Sequence, residues 1–194
     1  VKLDGEKTIF TINDISGHGI PASLLMSIFR TNFTYRIKKD KDMRTTLTHL
    51  NNLIAETTDA NLYVTSFTCR YDAKERSLVY LNAGHNPPFL FRKNNVIELK
   101  EGNLTVGMFP DVSYTTAEIA VRKKDLLVLY TDGLIEAENT AGYQFSYDRF
   151  KEFFQANKHL DVEVLREKLI AELRKFVGKD DFEDDITFII IKFL

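Results

Sequence analysis

Cysteine is almost absent from this sequence, since Cys69 is the only one. A single cysteine excludes an internal disulfide and fits a reducing compartment. The chain has no tryptophan and only 4 prolines. It has no apolar run near the roughly 18 residues that a membrane-spanning helix needs. It also lacks an excess of one charge: 26 Lys and Arg stand against 28 Asp and Glu. This balance gives no electrostatic basis for binding nucleic acid or an anionic membrane.

Apolar and aromatic residues are abundant. Hydrophobic residues make up 44% of 194 residues, and 15 Phe and 8 Tyr predict an aromatic-rich core. This length and composition are those of one ordinary globular domain. No repeat, linker or low-complexity segment divides the chain, so the sequence predicts a single domain over residues 1–194.

Hydrophobic periodicity predicts strands and helices in separate blocks rather than in alternation. The predicted strands cover residues 8–14, 64–71, 78–82, 89–92, 96–99, 116–121, 126–131 and 186–193, and the predicted helices cover 21–37, a segment carrying 47–54, 147–156 and 162–177. Short turns between successive strands favour antiparallel pairing, and helices in blocks indicate an α+β protein. A β-sandwich or a large sheet with helices packed outside is expected.

A glycine motif follows the first predicted strand. The residues from Gly17 to Ala22 match G-x-G-x-x-A, which is typical of dinucleotide sites between a strand and a helix. A Rossmann unit then needs a parallel strand after the helix, ending in an acid that binds the ribose. Here the charged segment around Asp40 leads into another helix instead. The sequence therefore argues against a nucleotide fold.

Acidic residues lie at the ends of three predicted strands. Asp14 ends the first, Asp132 follows the strand 126–131, and Asp184 and Asp185 precede the last. Carboxylates gathered at one rim repel each other unless a cation neutralises them, and oxygen ligands without Cys or His favour Mg²⁺ or Mn²⁺ over zinc. The alternative is that each acid only caps a turn, which is the better interpretation of any one taken alone.

Four segments occur in the order found in one known family. They are Asp14-Ile15-Ser16-Gly17-His18-Gly19-Ile20-Pro21-Ala22, Ala83-Gly84-His85-Asn86-Pro87-Pro88, Tyr130-Thr131-Asp132-Gly133-Leu134-Ile135-Glu136-Ala137 and Asp184-Asp185-Ile186-Thr187. Together they resemble the SpoIIE/RsbU-like branch of the metal-dependent protein Ser/Thr phosphatases, the PPM family. The resemblance implies a four-layer αββα sandwich, in which two antiparallel sheets are flanked by helices.

The resemblance also implies a catalytic centre with two Mn²⁺ or Mg²⁺ ions. Asp14 matches the bridging aspartate, and the backbone carbonyl of Ile15 is the expected second ligand. Asp132 and Asp184 match further metal ligands, with Asp185 in support. Two cations lower the pKa of a bridging water, whose hydroxide attacks phosphorus without a phosphoenzyme.

Two histidines lie in the matched segments. An imidazole at His18 is able to protonate the leaving Ser or Thr oxygen near neutral pH, although a solvent-exposed loop histidine is the favoured interpretation. For His85, in the Pro-rich turn, orientation of that turn is favoured over catalysis.

One family feature is missing. The Gly-Gly-Asp motif, which carries another metal-binding Asp upstream of the segment aligned with Val1, does not occur here. The domain is therefore expected to lack its first strand or strands and the upstream sensor region. This absence keeps a second hypothesis open, in which a catalytically impaired phosphatase-like module signals by binding a partner protein.

The resemblance implies partners as well. The expected substrate is phosphoserine or phosphothreonine in a bacterial signalling protein, such as an anti-sigma-factor antagonist. Other expected partners are the upstream sensor domain and a second copy in a homodimer, but not nucleic acid. A cytoplasmic domain is expected, and the parent protein is either free or anchored to the membrane.

Overall fold

The computed structural model describes residues 1–3, 7–58, 62–178, 182 and 184–194. By its internal contacts the chain divides into two compact units. Unit 1 comprises Val1–His85 and Lys100–Val121, and unit 2 comprises Asn86–Leu99 and Arg122–Leu194. The elements in chain order are β1 (Lys7–Ile15), α1 (Gly19–Asp40), α2 (Met43–Thr57), β2 (Val64–Asp72), β3 (Ser77–Ala83), β4 (Phe89–Arg92), β5 (Asn95–Glu98), β6 (Gly102–Asn103), β7 (Ala117–Ala120), β8 (Leu126–Tyr130), α3 (Asp132–Ile135), α4 (Ser146–Asn157), α5 (Val162–Val177) and β9 (Phe188–Lys192).

Unit 1 is a sheet with two helices packed on one face. Its strands run in the order β1-β2-β3-β6, and β7 pairs with β3. Ile9 and Ile15 belong to one buried cluster with α1 and α2 residues such as Phe29 and Leu50. Because side chains alternate along a strand, Asp14 lies on the opposite face of β1 from these isoleucines.

Unit 2 is built around an aromatic core. Its sheet has the order β5-β4-β8-β9, and all five residues of β8 are buried. The ring of Tyr130 lies 4.6 Å from that of Phe150 and stacks on that of Phe89 at 5.8 Å between centroids. Such ring pairs add to the free energy gained from burying their area. The aromatic core therefore fixes the end of β8 that precedes Asp132.

The α+β class predicted from the sequence is confirmed, and β4 and α5 have the predicted bounds. Gly178 ends α5 in the left-handed conformation, with φ 69°. Two elements were missed, β6 and α3, because two strand residues or a single helical turn leave no periodicity to detect. One short pairing departs from the antiparallel pattern, since the two residues of β6 pair in parallel with β3. None of the described helices is long and apolar enough to cross a membrane.

Gly107 lies where a loop of unit 1 touches α2. Its φ is +92°, and a Cβ added there would lie 2.2 Å from Cγ2 of Ile54. The buried Asn51 holds the loop: its Oδ1 accepts a hydrogen bond from Gly107 N at 2.8 Å, and its Nδ2 donates to Phe109 O at 2.8 Å. The loop therefore depends on a residue without a side chain at this position.

We expect Gly107→Ala to destabilise the protein more than Gly142→Ala. Gly142 also has a positive φ, +79°, but an added Cβ there meets nothing within 4 Å. The control thus carries the backbone strain alone, and the difference between the two variants is the overpacking cost, about 1–3 kcal/mol in the free energy of unfolding. Chemical denaturation measures both values, and equal losses would contradict the close packing against Ile54.

Cys69 is fully buried in β2. Burial raises the pKa of its thiol to about 12. Because only the thiolate reacts with alkylating reagents, we expect no modification of the folded protein by iodoacetamide at pH 8 and rapid modification in denaturant. Mass spectrometry after timed exposure checks this, and fast labelling without denaturant would show that the strand opens.

Candidate metal centre

Two of the predicted acidic segments meet at one end of the unit 2 sheet. The ladder between β8 and β9 is extended by Thr131 N, which donates to Thr187 O at 3.0 Å, and by Thr187 N, which donates to Thr131 Oγ1 at 3.1 Å. Asp132 follows this last pair directly, and Asp185 lies two residues before Thr187. The antiparallel ladder therefore brings residues more than 50 positions apart to the same rim of the unit 2 sheet.

Gly133 makes this approach possible. A Cβ added to it would lie 2.6 Å from the carbonyl oxygen of Asp185 and 3.3 Å from Oδ2 of Asp184. A carboxylate oxygen of Asp184 thus lies against the residue that follows Asp132. Asp132 is half-buried at the start of α3, whereas Asp184 and Asp185 are exposed.

Asp14 and Ile15 end β1 in unit 1. Val64, which faces Ile15, exchanges both of its backbone hydrogen bonds with Val106 at 2.8 Å each. Since the N–H and C=O of one strand residue point to the same side, Ile15 turns its carbonyl away from β2. The N–H of Ile15 donates on that side to Oδ1 of Asp14, at 2.9 Å. The carbonyl of Ile15 and the carboxylate of Asp14 therefore face the same side of the strand.

The three candidate carboxylates share one local geometry. Oδ1 of each accepts a hydrogen bond from the backbone N–H of the next residue: Asp14 from Ile15 at 2.9 Å, Asp132 from Gly133 at 3.0 Å and Asp184 from Asp185 at 2.7 Å. The capping aspartates Asp42 and Asp72 instead accept from residues two or three positions on. A bond to the adjacent N–H orients a carboxylate and leaves most of its lone pairs for other donors or a cation.

This donor chemistry fits a hard divalent cation, because carboxylate and carbonyl oxygens are the ligands that Mg²⁺ and Mn²⁺ prefer. Within neither unit do three or more described Asp, Glu, His or Cys side chains gather closely enough to hold one metal ion. Asp132, Asp184 and Asp185 lie in unit 2, whereas Asp14 and the carbonyl of Ile15 lie in unit 1.

Sequence reasoning missed a further group beside Asp132. The ring of Tyr147 packs edge-on against Tyr130 and Phe89, at 6.3 and 6.4 Å between centroids. Burial, and then the negative charges of Glu136, Glu98 and Asp132, raise the pKa of its phenol. The phenol of Tyr147 therefore lies within electrostatic range of these acids of unit 2. Nothing in the spacing of Tyr147, at the start of α4, indicated this.

The same rim of unit 2 holds a small pocket of about 210 Å³. Its polar lining includes Glu136, Glu138, Gln144 and Asp184. The pocket therefore adjoins the candidate metal ligands and adds further negative charge to this rim.

The two histidines differ in their surroundings. His18 is exposed at the start of α1, and its side chain makes no capping hydrogen bond. His85 is 5% exposed, and its Nδ1 lies 2.9 Å from the hydroxyl oxygen of Thr65. Close to His18 in the chain, the hydroxyl of Ser16 accepts a hydrogen bond from Tyr63 N at 2.9 Å and so stabilises its loop.

Comparison with solved structures defines the class of fold. The chain matches the PP2C domain of SiaA from Pseudomonas aeruginosa with a TM-score of 0.86 and 21% sequence identity, over 98% of this chain and 77% of that one. The fold is therefore that of a PP2C-type domain, in agreement with the predicted PPM-like α+β class.

The particular family follows from sequence comparison. Residues 4–194 match the family model described as stage II sporulation protein E (SpoIIE), and the chain belongs to this family. Two relatives come from Bacillus subtilis (strain 168). The phosphoserine phosphatase RsbU is 25% identical over 97% of this chain and 56% of its own length, and the phosphoserine phosphatase RsbP is 26% identical over 98% and 47%. The chain thus spans about half the length of each.

We expect Gly133→Ala to displace the segment carrying Asp184 and Asp185, because its Cβ would overlap a backbone oxygen. Gly102→Ala is the matched control: like Gly133 it needs no positive φ, and its Cβ would have an ordinary contact of 3.5 Å. Unfolding experiments should show a loss of about 1–3 kcal/mol for Gly133→Ala beyond that of the control. Equal stability of the two variants would contradict the close approach.

Proposed function

We propose that this chain is the catalytic domain of a metal-dependent protein serine/threonine phosphatase. The observation that carries the proposal is the position of Asp132 and Asp184 on either side of Gly133, at one end of the β8–β9 ladder. In a SpoIIE-family chain, two relatives of which are named phosphoserine phosphatases, the simplest role for such paired carboxylates is to hold a divalent cation next to a phosphate.

The proposed ligands are Asp14 with the carbonyl of Ile15, and Asp132 with Asp184, supported by Asp185. We propose two Mn²⁺ or Mg²⁺ ions in the intact site. When bound, such ions lower the pKa of a water that attacks phosphorus and neutralise the phosphate oxygens.

The protein's own groups prepare this site. The N–H groups of Ile15, Gly133 and Asp185 fix the rotation of the three carboxylates, so little reorientation is needed when a ligand binds. Tyr147 keeps its proton at Oη and so offers a hydrogen-bond donor on the acidic rim of unit 2. His18, exposed and without a capping bond, is the proposed proton donor to the leaving oxygen.

The proposed substrate is phosphoserine or phosphothreonine in a bacterial signalling protein, such as an anti-sigma-factor antagonist. Support comes from the names of RsbU and RsbP, both phosphoserine phosphatases. We also propose control by an upstream sensor domain in a longer parent protein, assembly as a homodimer, and a cytoplasmic location of this domain.

The alternative, a catalytically impaired module that signals by binding alone, is not favoured. Relatives matched along almost the whole of this chain are named as enzymes, and the chain retains the acidic residues of all three proposed ligand segments.

We expect Asp132→Asn and Asp184→Asn each to lower Mn²⁺-dependent hydrolysis of p-nitrophenyl phosphate on the order of 100-fold or more, because each removes a charged ligand. Initial rates at several Mn²⁺ concentrations measure the effect. The same preparation should also hydrolyse a phosphoserine peptide, and this activity should be lost in the same variants.

Asp148→Asn is the control, because Asp148 lies on α4 with its side chain 87% exposed. It should leave the rate unchanged. Undiminished turnover in Asp132→Asn would remove Asp132 from the mechanism, and turnover independent of divalent metal would refute the proposed reaction.

A further inference from the structure

The buried histidine of unit 1 lies next to the strand end that carries Asp14. Asp14 and Thr65 face each other across β1 and β2, so their side chains lie on the same face of the sheet, with Cβ atoms roughly 5 Å apart. His85 reaches that face, because its Nδ1 lies 2.9 Å from Oγ1 of Thr65. The three side chains therefore form a row: Asp14, Thr65 and His85.

Thr65 connects the other two members. Its hydroxyl is 3.4 Å from the backbone oxygen of Asp14, long for a hydrogen bond, whereas its contact with His85 has ordinary length. The hydroxyl has one proton and donates to only one of these neighbours at a time. When the imidazole carries its proton on Nδ1 it donates to Thr65, and the hydroxyl is then directed to Asp14.

The backbone of His85 is itself held by hydrogen bonds. Asn82, 3% exposed, donates from Nδ2 to the His85 carbonyl at 2.9 Å, and its Oδ1 accepts from the His85 N–H at 2.8 Å. This reciprocal pair fixes the backbone of His85 at the end of β3. A buried imidazole on a fixed backbone gives Thr65 one side-chain orientation, and Thr65 is β-branched and already stiff about χ1.

We propose that His85 is a positioning residue for the Asp14 part of the metal site. Through Thr65 it fixes the end of β1, where the Asp14 carboxylate and the Ile15 carbonyl face the same side. This inference rests on the proposed function, because it takes Asp14 as a metal ligand. His85 contacts neither metal nor substrate in this role, and it differs from exposed His18 in acting only through Thr65.

The test measures Mn²⁺ binding directly, by isothermal titration calorimetry, rather than by activity. Thr65→Val keeps the shape of the side chain and removes the hydroxyl, so it should weaken Mn²⁺ binding on the order of 10-fold or more. Thr65→Ser keeps the hydroxyl and should bind Mn²⁺ as the wild type does. His85→Leu should resemble Thr65→Val, whereas His85→Asn, whose amide replaces Nδ1, should recover most of the affinity.

Two further measurements separate positioning from a merely structural role. The double variant Thr65→Val/His85→Leu should lose no more affinity than either single variant, because both interrupt one chain of contacts. Mn²⁺ should raise the melting temperature of the wild type, and this increase should be much smaller in each single variant. The melting temperature of the metal-free protein should change only slightly. His49→Asn, an exposed histidine on α2, is the matched control and should change neither quantity.

The proposal is wrong if Thr65→Val and His85→Leu bind Mn²⁺ like the wild type, or if they lower only the metal-free melting temperature. It is also wrong if Thr65→Ser loses as much affinity as Thr65→Val, or if the two single losses add in the double variant. Asp14→Asn separates this failure from failure of the proposed function: wild-type Mn²⁺ binding in that variant would remove Asp14 from the metal site itself.

Discussion

The close approach of Gly133 to the Asp184–Asp185 segment is the constraint on which the unit 2 part of the site depends. There is no room for a Cβ at this point, because it would lie 2.6 Å from a backbone oxygen. The aromatic core under β8 and the last bonds of the β8–β9 ladder hold the two backbones at this distance. Packing therefore keeps Asp132 and Asp184 at one rim, where their oxygens are suitable ligands for a divalent cation.

The same principle operates in unit 1 with different chemistry. There the end of β1 is held by its pairing with β2, and a polar row continues across the sheet through Thr65 to a buried histidine. Buried polar groups are stabilising only when they are hydrogen-bonded, so such a row specifies one geometry. In each unit, therefore, the backbone that carries the proposed ligands is held in place by strand pairing and packing.

The local sequence predicted a large part of the fold. The short apolar run Phe89–Arg92 and the helical period in Val162–Val177 recur in the structure with the same bounds. The run is buried on both faces of the strand, and the helix buries one continuous face. The short α3 and β6 escaped prediction because their conformation comes from neighbours: Asn103, for example, is held by hydrogen bonds to Asn82 and Thr115.

For the site, the sequence by itself indicated which residues are candidate ligands: Asp14 at the end of β1, Asp132 after β8, and Asp184 and Asp185 before β9. Only the tertiary structure decided that Asp184 lies against Gly133, that Tyr147 joins the acids of unit 2, and that His85 reaches Thr65. The physical reason is that pairing register and aromatic packing act between residues far apart in the chain, whereas periodicity and turn chemistry act within a few residues.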